Sequence, residues 1–303
     1  MRKLKKAIKY IVHDRKKFLE SLLVNLYFLF PDKLYLTLLF RLKMGRWINW
    51  REPKTYNEKL QWLKLYNRRG EYTQMVDKYE VKEYVRKLIG EEYIIPTIGV
   101  WDNVDDIDFN TLPDQFVLKT THSGGNTGVV ICKDKHAFNF EEAKAKLRRS
   151  LKQSIYAKLR EWPYKNVKPR ILAENYLSDN INNSLLDYKF YCFNGVPKIL
   201  VLSSGRNEML SFDYYDMDFN HLPFQQGGPN SSKPLSCPIN FDKMKQISGI
   251  LSQNLPHVRV DFYEVGGKVY FGELTFFDSS GMAAFTPEEW DYKFGEWIQL
   301  PEN

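Results

Sequence analysis

Cysteine is scarce in this chain and badly spaced: Cys132, Cys192 and Cys237 are the only three in 303 residues and share no CxxC arrangement. That excludes a disulfide scaffold and a cysteine-based zinc site, and leaves the thiols as core filler. Histidine is equally thin, five residues without HxxxH or HExxH spacing, so no histidine metal centre is expected. No run reaches the roughly 18 uncharged apolar residues that a membrane-spanning helix needs. The apolar patch from Phe18 to Phe30 is broken by Glu20 and Asn25 and is followed by no small-residue cleavage site. This argues against a secretory signal and for a cytoplasmic location. Internal repeats, low-complexity segments, GxxxxGK[ST] and a helix-opening GxGxxG are missing as well.

What is present belongs to a globular protein. Hydrophobic residues make up 43% and aromatic residues 15%, enough to bury one or two substantial cores. The net charge of +7 is concentrated: residues 1–20 carry eight Lys/Arg against Asp14 and Glu20, and the remainder is nearly neutral. In that segment Leu4, Ile8, Ile11, Phe18 and Leu22 recur at helical spacing opposite the basic residues. Helices lying on anionic membrane surfaces have this pattern, and so do solvated basic helices; the first reading places the protein peripherally at the inner face of the membrane. An excess confined to one end does not suit nucleic acid, so none is expected as a partner.

Periodicity predicts an α+β chain. Residues 1–75 read as a helical N-terminal region, with breaks at Pro31-Asp32 and Arg51-Glu52-Pro53 and a capping-box pair, Thr55 and Glu58. An amphipathic helix is expected over 77–89 and a short strand over 94–101. Strands over 116–119 and 128–131 flank a glycine-rich tip, and a charged helix covers about 140–160. Further strands are expected over 170–176, 187–193, 196–203, 258–263 and 269–275, with a surface loop or lid over 222–238.

Two places could carry chemistry. The first strand of the hairpin delivers Lys119 to a turn containing Ser123, Gly124, Gly125 and Thr127. Backbone N–H groups in such a turn can converge on phosphate, although glycines there also serve the turn alone. The second place is Arg259-Val260-Asp261, a Gly266-Gly267 turn, and Gly272-Glu273-Leu274-Thr275. A two-residue turn would put Asp261 and Glu273 on opposite faces, whereas a three-residue loop with a bulge over 266–268 sets them side by side. Side by side, two carboxylates call for a cation, and oxygen ligands suit magnesium with a nucleotide; solvated charge on an edge strand is the alternative. A separate Asp216-Met217-Asp218 has the DxD form of nucleotide-sugar glycosyltransferases, or is an acidic turn.

The order of these features resembles the ATP-grasp ligases, as in D-alanine:D-alanine ligases. Asp77-Lys78 before Ile94-Ile95-Pro96 is similar to the element supplying that fold's first nucleotide lysine, and 116–119 to its second. The strand Ile171-Leu172-Ala173-Glu174 resembles the hinge between the two subdomains that clamp ATP, which implies a hinge near 171–177 and an adenine and ribose role for Glu174. Lys189 falls where a further phosphate contact is common. Asp261 and Glu273 match the two magnesium carboxylates, and Thr275, whose hydroxyl is a weaker ligand than an amide carbonyl, stands where most members have a metal-binding Asn. Ser279-Ser280-Gly281-Met282 resembles the loop that faces the acyl substrate.

More closely, the chain resembles the teichuronopeptide-type ATP-grasp family of bacterial polysaccharide gene clusters. The likeness runs through Pro53-Lys54-Thr55-Tyr56-Asn57-Glu58-Lys59-Leu60-Gln61-Trp62, Asp77-Lys78-Tyr79, Leu112-Pro113, residues 116–119, Tyr214-Tyr215-Asp216-Met217-Asp218-Phe219 and residues 259–275. It implies an ATP-grasp domain over 76–303 after the helical region, with ATP and Mg2+ as cofactors. The implied reaction joins a glycan uronic acid to an amine or amino acid through an acyl phosphate. Lys78, Lys119 and Lys189 would offset triphosphate charge, and Arg259 would stabilise the oxyanion. A glycosyltransferase using Asp216-Met217-Asp218 and an inactive nucleotide- or glycan-binding member are the rival readings.

Overall fold

The computed structural model describes residues 15–178, 185–204, 210–232 and 235–302. Most of the basic amphipathic segment, residues 1–14, lies outside them. No helix among the described residues is long and apolar enough to cross a membrane.

The N-terminal region is helical, with breaks where the prolines predicted them. One helix spans Arg15–Asn25; the next, Asp32–Met44, follows Pro31 and ends on Gly45 at φ 76°, a left-handed cap that glycine adopts without strain. A third, Tyr56–Tyr66, opens with the expected capping box: Thr55 Oγ1 accepts from the Glu58 N–H while the Glu58 carboxylate accepts from the Thr55 N–H. This helix is buried on nearly every side and shares one core with the large sheet and the helix Glu289–Trp297. Two shorter helices follow, Glu71–Val76 and Glu80–Ile89.

Strands β1 (Thr97–Trp101), β2 (Phe116–Thr120), β3 (Val129–Cys132) and β4 (Ile171–Asn175) form an antiparallel sheet in the order β1-β4-β2-β3. Period-two alternation divides its faces. Phe116, Leu118, Ile171 and Ala173 pack with Leu147 of the helix Phe140–Leu151, leaving Val117, Lys119, Leu172 and Glu174 on the other face. The predicted helix over 140–160 is two: Ser154 caps a second one, Ile155–Leu159.

The larger sheet has the order β10-β9-β5-β6-β7, with β5 (Asp187–Phe193), β6 (Val196–Ser204), β7 (Ser211–Tyr215), β9 (His257–Val265) and β10 (Lys268–Thr275), again antiparallel. Phe190, Val258, Val260 and Phe262 face a core shared with Met244, Ile247 and Leu251 of the helix Phe241–Leu251. Arg259 and Asp261 therefore project from the opposite face. Strand β7 was not expected from the sequence. The region 222–238 holds a two-residue strand, β8 (Gln225–Gln226), paired with β11 (Phe285–Thr286).

Candidate active site

The register of β9 and β10 combines features of both alternatives. Val265 pairs with Lys268, so the turn has only two residues, Gly266 and Gly267, both at positive φ. By itself this would send Glu273 to the wrong face. An extra residue between the Phe271–Phe262 and Glu273–Asp261 pairs restores it, a bulge in the strand rather than in the loop. Gly272 occupies it, and a Cβ there would lie 3.0 Å from the Asp261 carbonyl oxygen. Lys189 on β5 is the next partner of Asp261, which gives a row Lys189, Asp261, Glu273 across three strands. The neighbouring row is Tyr191, Arg259, Thr275.

The charges in these rows neutralise one another. Arg259 grips Asp261 with two bonds, Nε to Oδ1 and Nη2 to Oδ2, both 2.7 Å, and its Nη1 donates to Asp278. Its Nη2 also reaches Thr275 Oγ1 at 3.1 Å and Glu273 Oε1 at 3.3 Å. Lys189 Nζ lies 2.8 Å from Asp261 Oδ2, and Lys78 Nζ 3.0 Å from Glu273 Oε2. Burial acts to raise the Glu273 pKa, but Lys78, Arg259 and Lys189 outweigh it and hold the carboxyl well below its usual range. Lys189 shows the mirror image: burial would depress it, yet Asp261 keeps it above the ordinary lysine value.

A second cluster sits on the small sheet. The Glu174 carboxylate lies 2.6 Å from Lys119 Nζ and 2.6 Å from Lys82 Nζ. Its pKa is lowered because the two lysines overcome burial, and Lys119 is raised because Glu174 does the same. Lys82 also donates to the Ile95 carbonyl and Thr97 Oγ1 at 2.7 and 2.8 Å. Lys78 is placed by its backbone, whose N–H donates to the Thr121 carbonyl at 3.1 Å, and by Arg170, which binds Asp77 and Glu80 beside it. The Asp77 carboxylate accepts from the Tyr79 and Glu80 N–H groups at the head of the helix.

The glycine-rich tip is tightly built. A Cβ on Gly128 would run into the hydroxyls of Thr120, Ser123 and Ser150, so only glycine fits there. His122 is 5% exposed and neither ring nitrogen has a hydrogen bond of good geometry; the Ser150 and Gln153 carbonyls are its nearest backbone acceptors. Burial pushes its pKa below the ordinary histidine value, which favours the neutral ring.

One cleft of ≈ 1490 Å3 is lined by every residue that the sequence reading assigned to the nucleotide and metal site: Lys78, Lys119, Ser123, Gly124, Gly125, Thr127, Glu174, Lys189, Arg259, Asp261, Glu273 and Thr275. Pockets for a single small ligand span roughly 300–1,000 Å3, so this volume has room for a nucleotide and a second substrate. The sequence reading missed Lys82, His122, Glu161, Tyr164 and Asp278, which line it too. Only Lys82 left a trace, since it sits between Val81 and Val85 on the inward side of its helix.

The donor set suits magnesium. No three His, Cys, Asp or Glu side chains converge on a metal position among the described residues. Asp261, Glu273 and Thr275, now bonded to Arg259, Lys189 and Lys78, would offer oxygen donors for part of an octahedral shell that nucleotide phosphates and water usually complete. Asp216 lies elsewhere. Its Oδ1 accepts from the Asp218 and Asn220 N–H groups at 2.9 and 2.8 Å, and its Oδ2 from Asn220 Nδ2 at 3.0 Å, so the DxD carboxylate caps its own turn.

Similar solved structures include D-alanine-D-alanine ligase from Helicobacter pylori, 15% identical with a TM-score of 0.43, covering 82% of this chain and 70% of that one. The enzyme from Coxiella burnetii is 12% identical, TM-score 0.43, with 80% and 64% covered. The ATP-grasp ligase PsnB, solved with minimal precursor, Mg and ADP, is 10% identical, TM-score 0.38, with 72% and 57% covered. No curated protein shows significant sequence similarity. The model of the family described as TupA-like ATPgrasp matches residues 58–299, from the helix that closes the core to the last helix of the chain, and the protein belongs to that family.

Proposed function

We propose that the protein is an ATP-dependent carboxylate–amine ligase of bacterial surface polysaccharide synthesis, activating a uronic acid as an acyl phosphate and passing it to an amino acid or other amine. The observation that carries this reading is the meeting of Lys78, Lys119, Lys189 and Arg259 with Asp261 and Glu273 across one cleft.

In this reading Lys78, Lys119, Lys189 and the N–H groups of the tip from Ser123 to Thr127 hold the triphosphate. Glu174 serves adenine and ribose and, through its ion pairs, positions Lys82 and Lys119 beside the phosphates. Asp261, Glu273 and Thr275 hold Mg2+, whose contribution when bound is to neutralise and polarise the γ-phosphate. Arg259 is fixed by Asp261 and Asp278, which leaves one Nη1 N–H to meet charge developing on the acyl oxygen.

Calorimetry with Mg2+ and a non-hydrolysable ATP analogue, against UDP-sugars, tests the nucleotide site. Magnesium-dependent ATP binding, lost in Lys119→Ala and in Asp261→Asn with Glu273→Gln, is the expected result. UDP-sugar binding with indifference to ATP would sink the reading. ADP release on adding uronic acids then identifies the carboxylate.

A further inference from the structure

Beyond the paired charges, the cleft ends at a carboxylate of a different kind. Glu161 is 7% exposed and lines the cleft, and no ion pair joins it to a cation among the described residues. Lys64, fully buried, is the nearest positive charge, but its ammonium is already taken: Gln61 Oε1, the Leu159 and Ser280 carbonyls and Ser280 Oγ surround Nζ at 2.7 to 3.1 Å. The Ser280 hydroxyl, accepting from Lys64, is left to face Glu161 with its proton. Asp278, on the same loop as Ser280, and Tyr164, in Glu161's own turn, are the other titratable groups facing it, and neither supplies positive charge.

The position is built firmly. Arg160 takes a left-handed φ of 54°, unfavourable for a side chain with a Cβ, and is held there from the N-terminal region. Its guanidinium donates to the Tyr27 and Phe30 carbonyls at 2.7 and 3.2 Å and pairs with Asp32 at 2.9 Å. Opposite, Ser279 and Ser280 are both left-handed, and Gln61 Nε2 ties down the Ser280 and Gly281 carbonyls at 2.9 and 2.8 Å. Two strained segments thus set Glu161 against the loop after the metal carboxylates. A buried carboxylate that no cation bonds directly is incompletely stabilised, and an ammonium entering the cleft would complete it.

From this arrangement we infer that the end of the cleft bounded by Glu161, Tyr164 and Ser280 binds the amine substrate as its ammonium form, with Glu161 accepting the proton that frees the nitrogen for attack. The inference rests on the ligase reading and adds to it where the amine sits and what activates it. One ammonium proton passes to Glu161, and the freed lone pair forms the C–N bond at the acyl phosphate carbon. The C–O bond to phosphate breaks, and the second N–H proton leaves with the phosphate. Burial holds the Glu161 pKa above the ordinary glutamate value, against the pull of Lys64, which suits a proton acceptor near neutral pH.

The test uses the full chain with Mg-ATP and glucuronic acid, with hydroxylamine or glycinamide as nucleophile. Hydroxylamine is already unprotonated at neutral pH and needs no base; glycinamide does. In Glu161→Gln the ratio of hydroxamate to amide is expected to rise about 100-fold, and to return toward the wild-type ratio as pH is raised. An unchanged ratio, with both products falling together, would show a merely structural role and overturn the inference. A second readout needs no turnover: in protein with 13C-carboxyl glutamate, the resonance missing from Glu161→Gln should move on adding glycinamide and stay still with acetamide. If it ignores both, the amine site is overturned even where the ligase reading holds. Absence of ADP formation with glucuronic acid and every other carboxylate counts against the ligase reading, and leaves that resonance to decide the site.

Discussion

Asp261 and Glu161 are both buried carboxylates in one cleft, and they sit at its opposite electrostatic extremes. Asp261 is held in a bidentate grip by Arg259 and touched by Lys189. Glu161 has a hydroxyl and a cation whose hydrogen bonds are spent elsewhere. Burial is therefore a poor guide to what a carboxylate does; the partners decide whether its charge is already met by cations at rest or is left for a ligand to meet.

The same edit, acid to amide, should move the two in opposite directions. Asp261→Asn removes half of a buried ion pair, leaves Arg259 and Lys189 short of negative charge, and should cost about 3 kcal/mol in urea denaturation. A neutral result would erase the contrast. Glu161→Gln should instead stabilise the fold by about 2 kcal/mol in mildly alkaline buffer. The sign follows from linkage: with a folded pKa raised above the unfolded value, the native state binds its proton more tightly across that interval. Wild-type stability falls as pH rises through it, and the variant escapes the loss. In acid, below the ordinary glutamate value, the two should converge. Glu273 behaves the other way, contributing fully above its unfolded pKa and losing that contribution only as pH falls through its depressed folded value. The smallest effect belongs to a third carboxylate outside the cleft: Asp216→Asn should cost about 1 kcal/mol or less and leave ATP-analogue affinity unchanged. A shift in nucleotide affinity would return the DxD turn to consideration.

Much of this was legible beforehand. Alternating patterns placed the strands that carry Lys119, Glu174, Lys189, Asp261 and Glu273, and the family resemblance gathered them into one site. The turn was harder. Gly266-Gly267 advertises itself, but the bulge at Gly272 is indistinguishable in sequence from any glycine in a strand, and it alone sets the register. Glu161 and Lys64 were invisible for another reason. They belong to segments remote in the chain, and their burial arises only when the helix Tyr56–Tyr66 packs beneath the 278–281 loop. A lysine on a helix and a glutamate after one read as solvated charge until tertiary contacts exclude the water. Strand β7 escaped because its apolar residues merge with the Tyr215-Asp216 turn.

The Lys119–Glu174–Lys82 bridge and the Lys78–Glu273 pair give the cleft the character of an ion exchanger in its resting form. Phosphate and metal arriving together can trade places with charges already present, lysine to phosphate and carboxylate to cation. Such an exchange alters total charge in the cleft less than phosphate arriving alone, so a bare triphosphate would enter at a disadvantage. Under the proposed function, a preference for a metal-loaded nucleotide would be written into the ion pairs before either component arrives.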